Sequence, residues 1–270
     1  MSGEPYPEKI QACIKSWKKN MGDWEIMLWD AQRFDVSMTH WTEQAFAAKK
    51  YAFVADYVRF YALYNYGGVY LDSDVEVIKS LNDFTDCDCF FGYEYSGCPE
   101  AAVVGSAPQQ AWLKNALDWY EATSFLKSDD TYNIVVAPLV FRYAFEKETG
   151  IRLDGSNPYE LRVDNQTIRI LPEAYFSPKD GYTGKIRSTK NTYTIHHFSA
   201  AWKQNTLKNR LNKGIHASFK RIIGKKLFYK IMYGIRSKRI CLLLASAGGK
   251  PMSELQRTSD KERLHNACKK

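Results

Sequence analysis

Apolar and polar residues alternate along the chain in short periodic pieces separated by turn chemistry. Ile10, Cys13, Ile14 and Trp17 form one stripe at three- and four-residue spacing, with Lys15, Lys18 and Lys19 on other faces, which predicts a helix. The segment WEIMLW, Trp24 to Trp29, is read as alternating and predicts a strand of the main sheet. Residues 30–50 are mixed and read as a loop leading into a short helix. Phe53, Tyr57, Phe60, Tyr61 and Tyr64 then mark an amphipathic helix. Gly67 and Gly68 can end it, because glycine takes the left-handed conformation without a Cβ clash. Val69-Tyr70-Leu71 follows as a short buried strand, with Asp72 and Asp74 at its carboxyl end.

Downstream, Val75–Ile78, Cys89–Tyr93, Ala102–Gly105 and Ile168–Leu171 read as strands. Gln109–Glu121 and Ile134–Phe145 read as helices, Pro138 falling in the first turn of the second. The rest of 150–190 is turn-rich, and residues 172–185 are expected to be a loop crossing the mouth of a site. That loop delivers Tyr193 to Trp202, YTIHHFSAAW. Strands interleaved with helices predict a mixed α/β class, in which ligands collect at the carboxyl ends of strands.

Composition narrows the picture. A length of 270 residues suits one α/β domain with an added tail. The six cysteines form no C-x-x-C pair, so neither a zinc site nor a disulfide framework is expected, and a reducing cytoplasm fits best. No signal peptide and no membrane-length apolar run is evident. The net charge of +8 is unevenly spread. Residues 1–202 hold 20 Lys+Arg against 27 Asp+Glu, or −7; residues 203–270 hold 18 against 3, or +15.

Asp72 and Asp74 repel each other in one cleft unless a cation joins them, and a hard divalent ion would also leave coordination positions for phosphate oxygens. Asp-Ser-Asp is equally ordinary turn chemistry. Asp56 and Arg59 lie three residues apart on one helical face, which allows a structural ion pair as well as a site.

The order Asp56-x-x-Arg59, then Gly67-Gly68-x-Tyr70-Leu71-Asp72-x-Asp74, resembles the core of the DxD-containing sugar transferases of glycosyltransferase family 32. These include bacterial capsular-polysaccharide and lipopolysaccharide glycosyltransferases and the yeast initiating mannosyltransferase; the glucosylating clostridial toxins share the arrangement more distantly. The resemblance runs from about Pro7 to Trp202.

It implies a GT-A-type nucleotide-diphospho-sugar transferase fold, a Rossmann-like mixed sheet, over residues 1–202. It implies Mn²⁺ or Mg²⁺ on Asp72 and Asp74, with Asp74 the more direct ligand, and a UDP- or GDP-linked sugar as donor. Asp56 would then accept hydrogen bonds from donor-sugar hydroxyls, Arg59 would neutralise phosphate or orient the sugar, and Tyr70 would line the donor site. A late histidine, His196 or His197, would join the metal, and the Trp202 N–H would reach the diphosphate. Ala201 stands where relatives commonly carry serine, and the strand that usually opens the family's sheet is not recognisable before Pro7.

The implied reaction is sugar transfer with retention of configuration to a glycan or lipid-linked oligosaccharide, in capsule, lipopolysaccharide or exopolysaccharide synthesis. Two alternatives stand beside it: an inactive, membrane-associated relative, and another metal-dependent enzyme acting on nucleotide diphosphates.

Lys203 to Arg239 carries twelve basic residues and no acidic one, interleaved with apolar residues at helical spacing. This predicts a basic amphipathic helical tail over 203–270, with residues 203–240 meeting an anionic membrane surface from the cytoplasmic side. A helix packing its apolar stripe on the catalytic domain is the other reading. No nucleic-acid motif accompanies the charge, so no nucleic-acid partner is expected.

Overall fold

A computed structural model of the chain describes residues 6–155, 159–199 and 207–246. The mixed α/β class expected from the sequence is the one observed. Helices α1 (Glu8–Asn20), α2 (His40–Ala47) and α3 (Tyr51–Tyr66) precede the first strand, β1 (Gly68–Leu71). The strands β2 (Val75–Val77), β3 (Cys89–Tyr93) and β4 (Pro99–Ser106) follow, then α4 (Ala111–Glu121) and α5 (Ala137–Thr149). The hairpin β5 (Glu160–Val163) and β6 (Gln166–Leu171), the short α6 (Glu173–Phe176) and β7 (Thr194–His196) lead to α7 (Leu207–Ile223) and α8 (Lys225–Ser246).

Five strands form one sheet in the order β1-β4-β3-β6-β5, antiparallel except for the β3–β6 pair. The strands β3 and β4 are buried along their whole length, as a two-sided sheet centre requires. The helices α3, α4 and α5 cover one face through an aromatic core that includes Tyr57, Phe60, Trp112, Tyr120 and Phe141. A second ribbon, β2–β7, pairs Val75 with His196, Glu76 with Ile195 and Val77 with Thr194. Side chains of α1 satisfy the backbone of β2: Trp17 Nε1 donates to Val75 O at 2.6 Å and Asn20 Nδ2 to Val77 O at 2.8 Å, while Ser16 Oγ accepts from Val77 N at 2.9 Å. This is why a lysine-rich surface helix begins the fold: it closes the outer edge of the ribbon that carries the site.

Helix α3 ends where the sequence predicts. Gly67 has φ +66°, and a Cβ there would lie 2.8 Å from Pro108 Cδ, so both its conformation and the close approach of the next loop require glycine.

One expected strand is absent. Trp24 lies in a bend, and residues 25–29 take no regular structure and join no ladder among the described residues. Their side chains make local contacts instead: Trp24 Nε1 donates to Asn82 Oδ1 at 2.6 Å, Trp29 packs edge-on against Tyr61 and Tyr66, and Ile26 and Leu28 are exposed. Alternation makes a segment two-faced, whereas a strand also needs a neighbouring backbone to pair with. Conversely, β5 was not expected, and its turn, Asp164-Asn165 with both residues at positive φ, is a hairpin signal.

The basic segment forms two helices meeting at Gly224. No helix among the described residues is long and apolar enough to cross a membrane. Phe228, Tyr229 and Met232 are buried, and the Tyr229 ring is slotted between two glycines: a Cβ on Gly97 would lie 2.7 Å from the ring, one on Gly155 2.9 Å. The Tyr229 hydroxyl donates to the Glu173 carboxylate, Lys225 pairs with Glu173 at 2.8 Å, and Lys220 Nζ donates to Tyr95 O at 2.7 Å and meets Asp180 at 3.3 Å. The change at residue 203 therefore separates two regimes of charge, while packing runs across it.

Candidate functional site

The end of β1 is held by its neighbour: Asp72 N donates to Ala102 O of β4 at 2.9 Å, and Val75 N closes a turn onto Asp72 O at 3.0 Å. The two aspartates thus bracket a tight turn between sheet and ribbon. Because Val75 pairs with His196 in the ribbon, the histidine arrives beside Asp74. Asp72, Asp74 and His196 can each offer a ligand atom, all within 4.8 Å of one another. Asp74 is 14% exposed and His196 13%; Asp72 is more open at 26%.

His197 does not join this group. Successive residues of an extended chain point opposite ways, and His197 Nε2 lies 2.9 Å from Glu76 Oε2. Its backbone is used instead, His197 N donating to Asp74 O at 3.1 Å and His197 O accepting from Lys179 Nζ at 2.6 Å. Trp202 and Ala201 lie outside the described residues.

Asp74 Oδ2 accepts from Ser199 N at 2.7 Å, and its Oδ1 lies 3.5 Å from His196 Nε2. Burial alone would raise the carboxyl pKa, but the His196 bond and charge and the Ser199 amide outweigh it and hold Asp74 well below the usual range. Burial likewise acts to lower the imidazole pKa, and the negative charge of Glu100 followed by bonds to Asp74 and Glu100 raises it well above its ordinary value. The Phe198 ring, at a backbone φ of +49°, covers the imidazole with centroids 3.9 Å apart. Tyr95 packs edge-on against Phe198 at 5.0 Å.

Asp56 and Arg59 stand behind the turn. Arg59 is buried; its NH2 donates to Asp56 Oδ1 at 2.8 Å and lies 3.4 Å from Asp72 Oδ1, and its NH1 donates to Ala101 O at 2.7 Å. Its guanidinium lies 4.8 Å from the Tyr70 ring centroid, and the Tyr70 hydroxyl donates to Asp72 Oδ1 at 2.7 Å. Asp56 Oδ2 accepts from Ala137 N, at the start of α5, at 3.1 Å. Burial raises the Asp56 pKa to about 6 even though Arg59 opposes it. Both Asp56 oxygens are therefore engaged inside the protein, and the pair anchors Asp72, β4 and α5 to one point.

Glu100 on β4 drew no attention in the sequence. It is 2% exposed; its Oε1 accepts from Ala102 N at 2.8 Å, and its Oε2 accepts from the Ser177 hydroxyl and lies 3.2 Å from His196 Nδ1. A single glutamate beside a proline carries no pattern that distinguishes it from a surface residue; only the fold brings it to the histidine.

Two carboxylates and one imidazole form a donor set for a divalent ion. The oxygens suit Mg²⁺ or Mn²⁺, and the imidazole nitrogen favours the first-row metal of the two.

Residues 7–91 match the family model described as "Glycosyltransferase sugar-binding region containing DXD motif". An uncharacterized glycosyltransferase of Acanthamoeba polyphaga mimivirus is 28% identical over 143 residues, covering 51% of this chain and 51% of that protein. The chain thus spans about half the length of the curated relative it matches. Among solved structures, the PaToxG glycosyltransferase aligns at 17% identity and a TM-score of 0.43, covering 54% of this chain and 65% of that one. Asp56, Arg59, Asp72 and Asp74 all fall inside the matched region, and over that region the chain is similar to the DXD-containing glycosyltransferases.

Proposed function

We propose that the protein transfers a sugar from a nucleotide-diphosphate donor, UDP- or GDP-linked, to a glycan or lipid-linked acceptor, with a divalent ion at Asp72, Asp74 and His196. The observation that carries this reading is the convergence of those three side chains at the end of β1, within and beside the family's matched region. A divalent ion held there supplies positive charge to the diphosphate oxygens as negative charge grows on the departing nucleotide. Asp74, held in its ionised form by the His196 bond and charge and the Ser199 amide, brings a full negative charge to the ion. Tyr70 donates to Asp72 Oδ1 and Arg59 lies 3.4 Å from the same oxygen, which leaves Oδ2 for the ion. Arg59 and Asp56 hold that geometry from behind, and Phe198 shields His196 from water on one ring face. Retention of configuration and a place in capsule, lipopolysaccharide or exopolysaccharide synthesis follow the family resemblance; we assign no nucleophile.

Melting the protein with UDP, GDP and their common sugar conjugates, with and without Mn²⁺, tests the reading. Stabilisation by one nucleotide that depends on Mn²⁺ is the expected result and names the donor class. A ligand at 100 times its Kd should add about 2.7 kcal/mol. No response to any nucleotide in the presence of metal would overturn it.

The same proposal places the enzyme on the cytoplasmic face of an anionic membrane, as a peripheral protein. Its support is that α7 and α8 are apolar on two sides. One side docks on the body through Phe228, Tyr229 and Met232; Ile215, Phe219 and Ile222 on α7, and Leu227 and Ile235 on α8, stay exposed. Arg221, Lys226 and Lys230 are exposed on the same helices, and each basic residue near an anionic surface contributes about 1 kcal/mol. Cosedimentation with phosphatidylserine vesicles should fall about tenfold or more when Ile215, Phe219 and Ile222 are all changed to serine, since each buried apolar side chain contributes about 1.5–3 kcal/mol when fully inserted. Equal binding by wild type and variant would remove the membrane from the proposal and leave the transferase reading intact.

A further inference from the structure

We infer that Glu100 is a positioning residue for the metal site, fixing the His196 ring so that Nε2 faces Asp74 as a free ligand nitrogen. The inference rests on the reading of Asp72, Asp74 and His196 as metal ligands.

A carboxylate buried in a strand of the central sheet is costly unless its charge is matched and its oxygens are hydrogen-bonded. Glu100 is 2% exposed, and His196 is the one basic side chain that pairs with it among the described residues. The carboxylate is itself fixed, by the backbone N–H of Ala102 at 2.8 Å on one oxygen and by the Ser177 hydroxyl on the other. It is therefore a rigid acceptor aimed at Nδ1 from 3.2 Å. An imidazole that donates from Nδ1 to a carboxylate presents an unprotonated Nε2 when neutral, and that nitrogen is the one 3.5 Å from Asp74 Oδ1. Carboxylate–histidine–metal arrangements of this kind set both the tautomer and the ring orientation.

The alternative is a purely structural part, in which Glu100 only ties β4 to the segment after α6 through Ser177. The two parts separate in glutamine and aspartate variants. In Glu100→Gln the amide can turn its NH₂ toward Nδ1, which favours the opposite tautomer with the proton on Nε2. Mn²⁺ affinity, followed by the free-ion electron paramagnetic resonance signal in the presence of UDP or GDP, should fall about 10- to 100-fold. Glu100→Asp keeps the charge but withdraws it by one methylene, and should lose less than the glutamine variant. A second readout needs no variant: with Mg²⁺ and the nucleotide bound, ¹⁵N spectra of wild-type His196 should place the ring proton on Nδ1.

Wild-type affinity in both variants, or a proton on Nε2 of wild-type His196, would overturn the inference. His196→Ala tells that failure from failure of the site. If it too binds Mn²⁺ like wild type, His196 is no ligand, and the metal reading falls together with the part given to Glu100.

Discussion

Changing Asp74 to asparagine is expected to abolish sugar transfer and nucleotide stabilisation by Mn²⁺ while leaving a cooperatively folded protein. Asp74 is firmly held in its ionised form, because the His196 bond and charge and the Ser199 amide together outweigh its burial. Asparagine keeps the shape and can still accept from Ser199 N, so the turn and the β2–β7 ribbon survive. It cannot supply negative charge to a divalent ion. Asp74 acts through the ion, whose positive charge would stabilise the departing nucleotide; losing even one such transition-state contact costs roughly 3–4 kcal/mol, or about 10²–10³ in rate. Loss of metal binding itself takes the effect further. The measurement is turnover of the donor identified by melting, together with a melting curve of the variant. Full activity in the variant would remove Asp74 from the chemistry. Inactivity with a collapsed melting transition would mean that the aspartate was holding the ribbon together instead.

The turn that carries Asp72 and Asp74 was legible in the sequence because each of its determinants is local. The aromatic stripe of α3, the glycine stop and the short apolar strand each state their own conformation within a few residues. The choice between His196 and His197 was not legible. It depends on the register between β2 and β7, set by pairing across about 120 residues of chain, and a shift by one residue would exchange the two histidines. Glu100 was invisible for the same reason in stronger form: its partners Ser177 and His196 are 77 and 96 residues away. The segment Trp24 to Trp29 illustrates the opposite failure, an apolar run read as a strand that has no neighbouring strand among the described residues. In the tail, composition revealed the charge and the helices, but not that Tyr229 is clamped between Gly97 and Gly155, since two apolar faces on one helix read as a single broad stripe.

Changing Arg59 to methionine is expected to be among the most destabilising single substitutions in the chain. An exposed Asp–Arg pair at three-residue spacing would be worth about 0–1 kcal/mol. This pair is not exposed: the Arg59 side chain is 6% accessible and that of Asp56 12%. Removing the guanidinium leaves a buried carboxylate facing Asp72, with only the Ala137 N–H for compensation, and takes the donor from Ala101 O. Breaking a buried pair in this way costs about 3–5 kcal/mol.

The loss should also depend on pH. The Asp56 pKa is already raised to about 6 by burial, against the opposing Arg59 charge. A carboxyl raised on folding binds more protons in the folded state than in the unfolded one, so its contribution is full below the unfolded value of about 4 and declines as pH rises through the folded value. Without Arg59 the folded value moves up again, and the decline extends to higher pH. The stability gap between wild type and variant, measured by urea unfolding, should therefore widen from pH 5 to pH 8. Adding Asp56→Asn to the variant should restore part of the loss and flatten that pH dependence, because the uncompensated charge is then gone. A small gap that does not change with pH would mean that water reaches Asp56. The pair would then be an ordinary surface contact, and the rigid support behind Asp72 would have to come from Tyr70 alone.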